Sequence, residues 1–177
     1  PENAPVQQRL RDMVVRESDQ LNEIVTGFLD FAREPSPVRE RINVTEIVQE
    51  VRESLLREMN GAEGRWHVEV VAPNYPCIVS GDGSQLKQVF VNLGKNGLEA
   101  MEAGGTLTIA IGGGGGQPIQ IRFEDRGPGI DPDRVAHIFE PFYTTKRTGV
   151  GMGLAVCARI VTAHDGTLRA GSRAGGG

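Results

Sequence analysis

Long apolar runs are missing from this chain of 177 residues. No stretch approaches the ~20 apolar residues of a membrane-spanning helix, and no signal-peptide pattern opens it. Positive charge is not in excess either: 19 Lys and Arg against 23 Asp and Glu leave a net charge of −4. That balance argues against a nucleic-acid partner. Cysteine is scarce, and Cys77 and Cys157 stand far apart in apolar surroundings, so buried reduced thiols are expected rather than a disulfide. The three histidines, His67, His137 and His164, have spacings that suit no zinc site and read as surface or structural residues. Neither G-x-G-x-x-G nor G-K-[ST] occurs, which removes the Rossmann fingerprint and the Walker loop. No internal repeat is visible.

What is present points to a soluble globular protein, with 38% hydrophobic and 24% charged residues. The length suits one good-sized domain with a helical appendage. Residues 6–33 read as one long helix in which Leu10, Val14, Leu21, Ile24, Phe28 and Phe31 form a seam in alternating steps of four and three, with Glu17 as its one polar interruption. Such a seam packs against another helix, in a bundle or across a dimer. Pro35 and Pro37 stop this helix and mark a linker.

Beyond the linker, Asn43 and Glu46 have capping-box spacing for a helix with Val44, Ile47, Val48, Val51 and Leu55 inside. WHVEVV and CIV are short strands, and Asp82 or Ser84 caps a strong helix running to about Met101. TLTIAI and IQIRFE form a hairpin joined by the loop Gly112 to Gly116. Asp131 and Pro132 start a short helix. The last helix ends near His164, and GTLRA begins a final strand. Strands and helices mix without regular βαβ alternation, so the fold class expected is an α+β two-layer sandwich.

The most informative helix is QLKQVFVNLGKNGLEAM. Leu86, Val89, Phe90, Leu93, Gly97 and Met101 line one face; Gln85, Gln88, Asn92, Lys95, Asn96 and Glu99 line the other. Asparagine is a poor helix former, so Asn92 and Asn96 one turn apart weaken the reading of a plain solvated face. Their carbonyl oxygens are hard, neutral ligands suited to magnesium that already carries phosphate. In FEDRGPGID, Asp125 ends a strand and is followed by Gly127 and Gly129. A carboxylate there accepts from an exocyclic amine, and the glycines leave room for a flat ring; a turn with an N-capping Asp is the plainer alternative. IFEPFYTTK supplies Phe139, Phe142, Tyr143 and Lys146, with aromatic spacing that also suits a core. Finally, Gly149, Gly151 and Gly153 alternate into a helix start, a pattern for close approach to phosphate.

In sequence order, NLGKNGLEAM, DRGPGI, FEPFYTTK and GVGMGLA resemble the N, G1, F and G2 boxes of sensor histidine kinases. These kinases share a superfamily with gyrase, the ninety-kilodalton heat-shock chaperone and the MutL proteins. RLRDMVVRESDQLNEIVTGFLDFAR is similar to the second helix of the kinase dimerisation domain. The short stretch between Lys146 and Gly149 resembles the compact ATP lid of nitrogen-regulation kinases.

The resemblance implies the Bergerat-type sandwich, a mixed sheet with helices on one face. Residues 1–38 would be the end of the dimerisation and phospho-acceptor domain, and residues 39–177 the ATP-binding domain. Asp125 would receive the adenine amine, with Gly127, Gly129 and Ile130 shaping its slot. Asn96 would ligate magnesium, supported by Asn92, and Lys95 and Lys146 would contact phosphates. Gly149, Val150, Gly151, Met152, Gly153 and Leu154 would carry the lid onto the triphosphate. Phe139, Phe142, Tyr143 and Thr145 would anchor it. Asn92, Lys95 and Asn96 would serve γ-phosphoryl transfer from ATP to a histidine.

No histidine lies on the long helix, so the chain is expected to begin after the acceptor helix, to stop short of a last strand, and not to autophosphorylate alone. In the gyrase-like ATPases of the superfamily a water-activating glutamate stands four residues before the metal asparagine; here that position is Asn92, which favours kinase over hydrolase. HDG replaces the family's His-Gly-Gly, and Gly97 stands where alanine is common. Partners implied are the acceptor helix, a response-regulator receiver domain and a second copy, in the cytoplasm. A serine-directed kinase and a nucleotide-binding module without transfer remain the alternatives.

Overall fold

The structure is a computed structural model that describes residues 4–32, 36–60, 64–146 and 149–171. Pro35, the lid stretch between Lys146 and Gly149, and the end of the chain lie outside the described residues.

Helix α1 covers Ala4–Ala32 and carries the seam expected for it. Leu10, Val14, Leu21 and Phe28 are more than half exposed, whereas Phe31 turns inward and packs against the core. Strand β1 (Glu40–Asn43) leads into α2 (Val44–Asn60). Asn43 starts that helix as its spacing suggests: its amide donates to Glu46 at 2.9 Å, and its oxygen accepts from the Thr45 N–H. Strands β2 (Trp66–Val71) and β3 (Ile78–Gly81) follow, then α3 (Gly83–Glu99). Asp82 is the N-cap of α3, accepting from the backbone N–H groups of Ser84 and Gln85. The hairpin β4 (Gly105–Gly114) and β5 (Gln117–Glu124) precedes α4 (Pro132–Val135) and α5 (Gly153–Ala163).

Among the described residues the strands form a mixed sheet in the order β2-β4-β5, with β2 parallel and β5 antiparallel to β4. A small antiparallel pair joins β1 to β3. On β4, Leu107, Ile109 and Ile111 are buried and their neighbours less so, the period of a sheet covered on one face. Facing them are Val48, Val51 and Leu55 of α2, Val89, Phe90 and Leu98 of α3, and Val156, Cys157 and Ile160 of α5. This is the expected two-layer sandwich. A residue as enclosed as Leu55 costs about 2–5 kcal/mol when cut to alanine. The outer edge is closed where the Arg52 Nε donates to the Val68 carbonyl at 2.9 Å.

Three expectations are corrected. The glycine run is not all loop: Gly112–Gly114 continue β4 through a register shift, and only Gly115 and Gly116 turn the chain. Unbranched backbone allows the strand to bulge there without ending. The GTLRA segment forms no strand, because it finds no ladder partner among the described residues. The buried face of α3 is also wider than its wheel suggested. Gly94 and Leu98 join it because α3 meets α2 as well as the sheet and α5.

Two polar clusters lock the helix ends. The Nε2 of His164, at the end of α5, accepts from the Asp82 N–H at 2.9 Å, while its Nδ1 donates to the Ile160 carbonyl at 2.8 Å. Arg39 reaches the Ala163 carbonyl at 2.8 Å and the Asp165 carboxylate at 2.7 Å. Asp165 sits at φ 58, a left-handed turn position that favours glycine. The structural reading of His164 therefore holds, and Asp165 gains a partner that glycine would lack.

Candidate functional site

The floor of the site is the polar face of α3 where β5 ends. Asp125 follows β5, and its Oδ1 accepts from the Gly127 N–H at 2.8 Å. That bond folds the strand end over and holds the carboxyl half-exposed beside α3. Gly97 makes this approach possible. A β-carbon at 97 would stand 2.8 Å from Leu107 Cδ1 and 3.5 Å from Asp125 Cβ. The helix and strand end thus meet across bare backbone, and a β-carbon at Gly127 would likewise stand 2.9 Å from Ala100 Cβ. Gly129 follows at φ 75, with Ile130 half-buried before the Asp131 cap of α4.

Asn92 and Asn96 occupy successive turns above this floor, yet they meet different groups. Asn92 faces α5: a β-carbon at Gly153 would lie 4.0 Å from its side-chain amide. It also hydrogen-bonds the Cys157 thiol, which slightly counters the effect of burial. Burial dominates and pushes that thiol up to about 12. Cys157 is thus inert packing rather than a reactive group. Asn96 faces the lid side, where its Oδ1 accepts from Lys146 Nζ at 2.7 Å. The same ammonium makes a short contact with the Glu99 carboxylate. Lys95 does not join them. It lies about 100° round the helix from Asn96, on the α2 side, where its Nζ is 2.6 Å from Glu58 Oε1.

Residues 139–146 and 149–153 lie on the side of α3 that carries Asn92 and Asn96. Phe139 and Tyr143 are half-buried, and the Tyr143 ring lies 6.2 Å from that of His137. Phe142 is exposed and held at φ 67, with its N–H donating to the Gly151 carbonyl at 3.0 Å. Gly151 itself has φ 72, and any β-carbon there would come within 2.6 Å of the Phe142 and Tyr143 backbone. Only glycine fits. Thr144 Oγ1 accepts from the Lys146 N–H at 3.1 Å, while Thr145 is exposed. Gly149 comes close to Thr144 and Lys146, whereas Val150 and Leu154 are half-buried and Met152 is buried. No side chain caps the first turn of α5, so its N–H groups are open to an anionic group.

The donor set fits magnesium: a carbonyl and a carboxylate oxygen already converge on one positive charge, as hard oxygen ligands do. It fits a nucleotide too, with an acceptor at Asp125 beside Gly97 and an uncapped helix start whose Gly153 lies against Asn92. Two surface clefts, of about 520 Å³ beside His67 and about 370 Å³ beside Asn43, lie away from this constellation. Among the described residues no cluster of His, Cys, Asp and Glu could hold a metal ion by itself, and no helix is long and apolar enough to cross a membrane.

A sandwich with this polar groove defines a class, and comparison with known proteins agrees. The profile of the histidine kinase-, DNA gyrase B- and HSP90-like ATPases matches residues 81–177, more than half of the chain. The chain belongs to this family of ATP-binding domains. Among curated relatives, sporulation kinase D of Bacillus subtilis is 35% identical over 88% of this chain and 30% of its own length. The signal transduction histidine-protein kinase AtoS of Escherichia coli is 31% identical over 98% of this chain and 28% of its own length. The chain therefore spans less than a third of either relative. Among solved structures, a mycobacterial sensor histidine kinase, MprB, is 28% identical with a TM-score of 0.65, covering 75% of this chain and 84% of that one. Full-length ShkA, solved with AMPPNP, shares the fold at a TM-score of 0.73 and 24% identity, over 93% of this chain and 37% of that one.

Proposed function

We propose that this chain is the ATP-binding catalytic region of a sensor histidine kinase, preceded by the last helix of its dimerisation domain. Residues 1–38 belong to that helical domain and residues 39–177 to the catalytic one. The reaction is transfer of the ATP γ-phosphoryl group to a histidine on a separate acceptor helix, for relay to a response-regulator aspartate. A homodimer is assembled through the exposed seam of α1, and the domain works in the cytoplasm.

The observation that carries this reading is that neighbouring turns of α3 set Asn92 against the uncapped α5 start, Asn96 against Lys146 and Gly97 against Asp125. Asp125 takes the adenine amine, and the α5 N–H groups with Lys146 hold the phosphates. Asn96 would hold magnesium, with Asn92 beside it on the α5 side. When bound, the metal supplies charge neutralisation along the triphosphate. Catalysis by the chain itself is then positioning and exclusion of water. Asn92 offers no carboxylate to activate water, so the γ-phosphate survives until the acceptor arrives.

The test mixes the chain with an acceptor-helix fragment, magnesium and γ-labelled ATP. Label that is acid-labile and base-stable on the fragment's histidine is the expected result. ATP binding without transfer would instead favour a module in which nucleotide only sets conformation, and label on serine would favour the serine-directed relatives.

A further inference from the structure

Glu99 supplies no step of the proposed transfer, yet it shares an ammonium with the metal asparagine. Asn96 and Glu99 stand three residues apart in the last turn of α3, on one side of the helix. Lys146, about 50 residues on in sequence, brings its Nζ to both, 2.7 Å from Asn96 Oδ1 and in short contact with Glu99 Oε2. The Thr144 hydroxyl orients the lysine by accepting its backbone N–H. A carboxylate at a helix C-terminus sits at the negative end of the dipole, so a cation there relieves a local repulsion. Both side chains of the Lys146–Glu99 pair are somewhat over two-fifths exposed, so the pair is weak enough to be released.

We propose that Asn96 and Glu99 form one cation seat with two alternative occupants. Without nucleotide the Lys146 ammonium fills it and draws the lid side onto α3. With nucleotide the divalent cation takes the seat, and the freed ammonium turns to the phosphate oxygens. Glu99 would thus be a second ligand of the seat, and it couples metal binding to the placement of residues 142–146. This rests on the nucleotide reading of the groove.

The experiment uses the whole chain with a non-hydrolysable ATP analogue, titrated calorimetrically over a magnesium series. Wild type is compared with Glu99→Gln, Lys146→Met and the double variant, and thermal melts confirm that each is folded. Glu99→Gln should raise the magnesium half-saturation about three- to tenfold. Lys146→Met should lower it, because a competitor is gone, even as nucleotide affinity falls. Hydrogen exchange across residues 142–146 without nucleotide should speed up in each single variant and no further in the double, the signature of one shared interaction. Additive exchange effects, or half-saturation shifts in the same direction, would overturn the two-occupant seat. A wild-type chain that binds the analogue while Glu99→Gln matches it sinks this inference alone. A wild-type chain that binds no analogue at any magnesium level sinks the nucleotide reading with it.

Discussion

The two walls of the groove are made in different ways. Asn96, Gly97 and Asp125 stand on the back of fully enclosed side chains, Leu98 and Leu107 among them, and move only if the sandwich moves. Residues 139–146 and 149–153 are tied by the Phe142–Gly151 backbone bond, carry positive φ at Phe142 and Gly151, and reach α3 through a weak lysine pair. One wall is core turned outward, and the other is loop held down by a few polar contacts. On the proposed reading, base recognition would be built into stability, whereas phosphate handling would fall to residues held by fewer contacts.

The hardest blow to this contrast comes from the floor. Asp125→Asn should weaken nucleotide binding about 10- to 100-fold by calorimetry, the cost of a charge-assisted hydrogen bond, with the fold intact. Unchanged affinity would mean that the base is not read there. On the lid side, Gly151→Ala puts a methyl against backbone at φ 72, a strain of about 1–3 kcal/mol. It should speed hydrogen exchange near Phe142 and reduce affinity several-fold while the sandwich melts almost normally; a large drop in melting temperature would merge the two walls.

Asp82→Ala removes the cap beneath the floor and should cost about 1 kcal/mol in denaturant titrations. The Ser84 side chain, helped by the Gln85 backbone, holds the Asp82 carboxyl below its ordinary 3.8. Its contribution is therefore present above that value and lost as the pH falls through the depressed one, so wild type and variant should converge in acid. Smallest at neutral pH is the effect of Cys157. Its thiol is raised from 9.0 to about 12, so the folded chain keeps the proton and resists thiol reagents. Above pH 9 the unfolded thiol ionises first, and stability should fall by about 1.4 kcal/mol per unit until the folded value is reached. Cys157→Ala should remove that slope.

Much of this was legible because it is local. Asn43, Asp82 and Asp131 cap helices where their spacing put them, and β4 alternates as its sequence does. The asparagine pair, the aspartate before two glycines and the alternating glycines fall on the two walls of one groove. What escaped the sequence depends on distant partners. Position 95 pairs with Glu58 and position 146 with Glu99, choices set by which carboxylate the fold brings near. Gly94 reads as a helix weakener until Leu55 is found against it. Asp165 reads as a departure until Arg39 arrives from the linker.

Gly27 on α1 has a consequence of its own. Its missing side chain lets α1 settle against Met152, with a β-carbon at 27 only 3.2 Å from Met152 Cβ. Four residues on, the Phe31 ring lies under the Arg159 guanidinium at 4.7 Å. Met152 is the covalent neighbour of Gly151, so one methyl's clearance on a remote helix sets how tightly that helix bears on the lid's pivot. The gap behaves as a mechanical tolerance: filling it at position 27 would shim α1 away from Met152 and α5.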